Sequence, residues 1–188
     1  MGNNNKGQMI LLIIIATATL VVAVAGATFA YFGISMENGK GDTTIEVTSG
    51  TISVEYQDNS VIKAGALNPN DSVASKTFTV NGLITGSSNL NYEANLVINN
   101  NTYGDGELVY TITSTNDNNN GTIITSTTEP VAIPTGANTI VLGKGSFAGP
   151  ITTGATHTYT VNIYVNGTAT FDPNKAVDAK ISVTQAVK

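Results

Sequence analysis

The chain has 188 residues, enough for one domain with a sizeable core plus an N-terminal segment. It has no cysteine, which excludes a disulfide framework, a thiolate metal site and a Cys nucleophile. The net charge is −5 and every basic residue is Lys, so the clustered Lys and Arg of a nucleic-acid interface are missing and no nucleic-acid partner is expected. Charged residues make up only 11%, and Thr and Asn carry the solubility instead, as in many extracellular β-proteins.

A short polar start with one Lys, MGNNNKGQ, leads into an uncharged apolar run from Met9 to Phe32. That length spans a bilayer as a helix, and no polar face interrupts it, which argues against a buried core helix. Three membrane readings stand side by side. In a cleaved signal peptide, the small residues Thr28 and Ala30, two apart, suit signal peptidase. In a type IV pilin-like leader, cleavage follows Gly7 and Gln8 to Phe32 stays as a hydrophobic spine. In a plain anchor the helix is never cut. Contact with the membrane is expected only through this segment.

After Phe32 the hydrophobic period becomes two. Ile52, Val54 and Tyr56 alternate with polar neighbours, as do Phe78 and Val80. The same holds for Tyr92, Ala94, Leu96 and Ile98, for Leu108, Tyr110 and Ile112, for Tyr159, Val161, Ile163 and Val165, and for Ala179, Ile181 and Val183. Such short runs of β-branched and aromatic residues are half-buried strands, apolar inward and polar outward. The spacing predicts a core containing Ile52, Val54, Phe78, Leu96, Tyr110, Val161, Ile163 and Ile181. Turns are expected at Asn68–Asp71, Asn81-Gly82, Asn120-Gly121 and Asn166-Gly167, with Asn116 to Gly121 an exposed loop. Asp172 to Lys180 could hold one helical turn before the last strand. The fold class is all-β, an antiparallel β-sandwich or jelly roll preceded by an N-terminal hydrophobic helix. Three segments follow: 1–30, signal peptide or membrane helix; 31–47, a flexible segment; 48–188, the sandwich.

Residues arranged for chemistry are few. The single His157 lies beside a strand and reads as a surface residue, because no G-x-S-x-G or H-E-x-x-H accompanies it. Asp105–Glu107 reads as a turn rather than a calcium loop, which needs several acids at fixed offsets. The Gly-rich phrase LGKGSFAG lacks the ending of a P-loop. The tyrosines fall mostly on inward faces and read as core rather than as a carbohydrate-stacking platform. No catalytic residue, cofactor or metal is expected, and the chain reads as a non-enzyme.

The closing phrase GATFAYF of the apolar run resembles the signal peptides of the TasA/camelysin family, which a SipW-type signal peptidase processes. Downstream, Ser49-Gly50-Thr51, the turn Leu67-Asn68-Pro69-Asn70-Asp71 and the strand Phe78 to Gly82 resemble that family's opening module. Gly154 to Val165 resembles a later strand. The resemblance implies a cut after Ala30, a mature chain beginning at Tyr31, and signal peptidase as a partner. It also implies a secreted jelly-roll subunit at the cell surface that assembles with itself, or with a related subunit, into matrix fibres. Camelysins are described as metalloproteases, and no metal-binding motif here supports carrying that over. In such a fibre the segment freed by processing, with Tyr31, Phe32, Ile34 and Met36, is a candidate donor strand for a neighbour's sheet edge. Thr44 to Val47 reads instead as the first strand of its own sheet.

Overall fold

The computed structural model describes residues 43–47 and 50–186. The expected N-terminal hydrophobic helix and the segment from Tyr31 to Met36 fall outside them. The described residues fall in the compact unit Asn38–Lys188.

Among the described residues ten strands follow one another: β1 Thr43–Val47, β2 Gly50–Tyr56, β3 Val61–Ala64, β4 Ser72–Ile84, β5 Leu90–Asn101, β6 Leu108–Asn116, β7 Thr127–Ile133, β8 Asn138–Phe147, β9 Ile151–Val165 and β10 Val177–Gln185. They form two fully antiparallel sheets, in the orders β1-β2-β4-β9-β6-β7 and β3-β10-β5-β8. From β3 onward the chain crosses between the sheets at nearly every connection; only β6 and β7 are consecutive in one sheet. Among the described residues there is no helix, and Asp172 to Lys180 holds a plain turn followed by β10.

The alternation seen in the sequence is the alternation that buries the core. Along β9, Ala155, His157, Tyr159, Val161, Ile163 and Val165 are buried in turn, while the Thr and Asn residues between them are half-buried on the outer face. Leu90, Tyr92, Ala94, Leu96 and Ile98 of β5 do the same from the opposite sheet. Both sheets feed one continuous apolar cluster, so neither can be dry without the other. All eight residues expected in the core are in it.

On the outer face the polar residues pair across strands. Thr77 and Thr160 lie 2.9 Å apart, Ser75 Oγ donates to Asn162 Oδ1 at 2.7 Å, and Thr156 Oγ1 donates to Asn81 Oδ1 at 2.9 Å. These pairs follow the β4–β9 register, which sets Thr77 opposite Thr160 and Asn81 opposite Thr156.

One expected turn is corrected and another forms. Asn81-Gly82 is not a turn but the interior of the thirteen-residue strand β4. Gly82 is there because the Phe147 ring from the other sheet occupies the place a Cβ would take. The Asn68–Asp71 turn does form: Asp71 N donates to Asn68 O at 3.1 Å, and Asn70 takes φ 69° after Pro69.

Ile163 faces inward at 2% exposure, opposite Ala74 of β4 and Tyr110 of β6. Ile163→Asp places an unpaired charge there, and a loss of about 3–5 kcal/mol is expected. Urea unfolding followed by far-UV circular dichroism checks it; an unchanged midpoint contradicts the strand's placement.

Candidate functional site

Two features stand out from the packed sheets: a buried polar chain at one end, and the sheet edges.

The polar chain begins with phase. In T-H-T-Y-T, His157 occupies the same parity as Tyr159 and Val161, so the strand that buries them buries the imidazole too. His157 is 0% exposed, which corrects the expectation of a surface histidine. The two-residue period carries this information, since the residue one period before Tyr159 must share its face.

Each polar atom of the group is satisfied. His157 Nε2 is 2.7 Å from the backbone carbonyl of Asn120, which can only accept, so Nε2 carries the proton. Nδ1 therefore accepts from the Tyr92 hydroxyl at 2.5 Å. The Tyr92 hydroxyl in turn accepts from the hydroxyl of Tyr159. Tyr159 accepts the Ile124 N–H at 3.3 Å. Phe147 stacks on the imidazole, with centroids 4.2 Å apart. Burial holds the His157 imidazole below its ordinary value, against the opposing pull of the Asn120 carbonyl and Asp117. Burial and the Tyr159 hydroxyl push the Tyr92 phenol far up, so both groups are neutral.

This chain ties the β6–β7 connection to both sheets. Its asparagines stand in for strand pairing. Asn120 Nδ2 donates to Ala148 O at 3.0 Å and Oδ1 accepts from Ala148 N at 2.9 Å. Asn116 brackets Asn120 in the same two-way fashion, and Asn118 Oδ1 accepts the Thr156 N–H at 2.9 Å. Thr122 and Ser146 exchange two backbone bonds, at 2.8 and 2.7 Å. Gly121 makes that approach possible: its φ is +69°, and a Cβ would overlap the Ser146 carbonyl. The loop is exposed at Asp117, Asn118 and Asn119 as the sequence suggests, but its flanking amides are structural.

At the opposite end of the β6–β9 ladder, Asp105–Glu107 forms the expected turn. Asp105 Oδ1 accepts from Thr135 N and Oγ1 at 3.0 and 2.9 Å, which lowers its pKa. Glu107 accepts from the Lys175 ammonium and from Gly104 N, and these hold its carboxyl below the usual range. Lys175 also lies over the Tyr103 ring, 5.6 Å from its centroid. Both carboxylates are thus engaged by protein donors.

The edges differ in how they are guarded. β7 contains Glu129 and Pro130, and its register with β6 breaks where Thr128 to Pro130 stand opposite Thr111. Pro130 has no N–H to offer a new strand. β8 breaks its own register near Gly143 and carries exposed Lys144. β3 is four residues long with Lys63 exposed. These are the usual devices against edge-to-edge pairing. β1, with the sequence TTIEV, has no Pro, no Lys and no register break against β2. Among the described residues nothing pairs with its outer edge.

The signal-cleavage residues Thr28, Ala30 and Tyr31 and the donor candidates Tyr31, Phe32, Ile34 and Met36 lie outside the described residues. Comparison with protein-family models and with curated protein sequences finds no match.

Gly121→Ala strains a positive φ and pushes a methyl into the Ser146 carbonyl, so a loss of about 2–3 kcal/mol is expected in denaturant unfolding. Pro130→Val restores a donor on β7, and an increase in concentration-dependent light scattering is expected. Scattering equal to that of the parent chain contradicts the guarding role.

Proposed function

We propose that the protein is an exported, non-catalytic structural subunit of an extracellular fibre or cell-surface layer. Its apolar N-terminal segment acts first as a membrane-inserted signal. Signal peptidase cuts after Ala30, and the mature chain begins at Tyr31 outside the cell.

We further propose that the body is a jelly roll. The strand order supports this: β3-β10-β5-β8 and β4-β9-β6-β7 form two four-stranded sheets, and the crossings from β3 to β10 follow those of an eight-stranded double Greek key. The hairpin β1–β2 is then an addition outside the eight strands, laid along the free edge of β4.

The observation that carries the functional reading is this hairpin's outer edge. It carries neither Pro nor Lys and keeps an unbroken register with β2, and it lies a few residues after the apolar stretch that processing would free. Tyr31 to Met36 of one mature subunit adds as a strand to β1 of the next. The contact is head-to-tail and does not close on itself, so a filament grows. Intact backbone hydrogen bonding along the edge supplies affinity, and the apolar side chains supply register.

The N-terminus of the protein recovered from cells distinguishes the alternatives. Tyr31 is the expected first residue; Gln8 would mean a pilin-like subunit with a retained helix, and Met1 in the membrane fraction an uncleaved anchor. Mature protein lacking residues 31–36 is expected to keep its melting temperature and to form no filaments by electron microscopy. Filaments of normal length from that truncation refute donor exchange.

A further inference from the structure

The chain from Ile124 to Asn120 balances donors against acceptors only while His157 is neutral. Ile124 N–H donates to Tyr159, Tyr159 to Tyr92, Tyr92 to His157 Nδ1, and His157 Nε2–H to the Asn120 carbonyl. Both ends are fixed, since an amide N–H cannot accept and a carbonyl cannot donate. A proton on Nδ1 turns the acceptor into a donor. The Tyr92 hydroxyl must then reverse and donate to Tyr159, whose hydrogen is driven against the Ile124 N–H. One donor in a dry site is left without an acceptor.

The groups around the imidazole give little relief. The titratable ones facing it are Tyr92 of β5, Tyr159 of β9 and Asp117 of the loop. β4 sets Val80 and β6 sets Asn116 opposite His157, and β8 supplies the Phe147 ring; none of these ionises. Asp117 favours the cation, but its carboxylate already accepts from Thr158 Oγ1 at 3.0 Å, and burial outweighs it. Phe147 offers a cation only the weak attraction of an aromatic face.

The geometry points to an acid-operated latch: protonation of His157 releases the connection 117–126 from β8 and β9 while both sheets stay paired, uncovering Tyr92, Phe147, Tyr159 and Ile124. The remaining ties of the connection are Asp117 to Thr156 and Thr158 at its start, Ser126 Oγ to Ser114 N at its end, the exposed Asn120–Ala148 and Asn118–Thr156 bonds, and the two-bond Thr122–Ser146 bridge. None is part of the ladders that hold the sheets.

The sign follows from linkage. Unfolded or released, the imidazole titrates near its ordinary 6.5; latched, it titrates lower. The latched state is therefore fully favoured above that value and weakens as pH falls from it toward the depressed pKa.

Hydrogen exchange of the full chain in detergent micelles, corrected for intrinsic rates, tests it. Between about pH 7.5 and about pH 5, protection at Thr122 and Ile124 should fall about tenfold, with Leu96, Val161 and Ile181 nearly unchanged. His157→Gln keeps a donor and an acceptor but cannot be charged, so its protection should be flat with pH. The side-chain nitrogen resonances of the parent His157 should titrate below 6.5, and the loss of protection should level off where they have titrated. Unchanged protection in the parent chain overturns the latch, as does an equal loss in the Gln variant. So does a loss shared by the β5, β9 and β10 amides, which would be global unfolding, or a histidine that titrates without the loop responding.

Discussion

The dry face of β9 is the constraint on which the rest depends. Fifteen residues long and paired on both sides, β9 presents a continuous inward row from Ala155 to Val165 that only the opposing sheet can cover. Without disulfides, that cover must come from packing alone. Register follows from it, because a slip of one residue on β4 or β6 would turn Thr rows inward and Phe78, Val80 or Ile112 outward. The outer threonine and asparagine pairs are a consequence of the same register rather than its cause, and each exposed pair contributes a fraction of a kcal/mol.

Burying His157 in that row has a cost that the surrounding residues meet together. Tyr92 and Tyr159 give up the freedom of their hydroxyls to form a one-way chain. Asn120 gives its carbonyl, and its amide is spent on Ala148, the residue after β8. The polar connection after β6 is thereby made part of the fold, although its composition resembles that of a solvated loop. The other end of the sandwich solves a similar problem with charge, using Glu107 and Lys175 against the Tyr103 ring.

Much of the fold was legible because side-chain parity is a local property. Six runs of alternating residues lie in β2, β4, β5, β6, β9 and β10, with their apolar positions inward. What escaped was written in breaks of parity. β8 carries Ile140 and Leu142 in one phase and Gly145 and Phe147 in the other, with a register shift between them that hides the period. β7 has only Ile133 buried, so it has hardly any pattern to read. β3 is too short for one. Asn81-Gly82 has the chemistry of a turn, but a ring from the other sheet needed the space of its missing side chain. The polar chain around His157 joins residues as far as 67 positions apart, and only its parity, not its partners, is visible locally.

The attachment of the two described ends sets how the domain would carry tension. β1 is bound on one side only, to β2, with Thr43 opposite Val54 at the open end of the hairpin. A pull on Thr43 opens that ladder one pair at a time, like a zip. β10 lies between β3 and β5, so a pull along its axis loads two ladders in parallel and must shear many bonds at once. Under load the N-terminal hairpin yields first, and a sandwich of eight strands is left intact behind it: a built-in extensible link ahead of a stiff body.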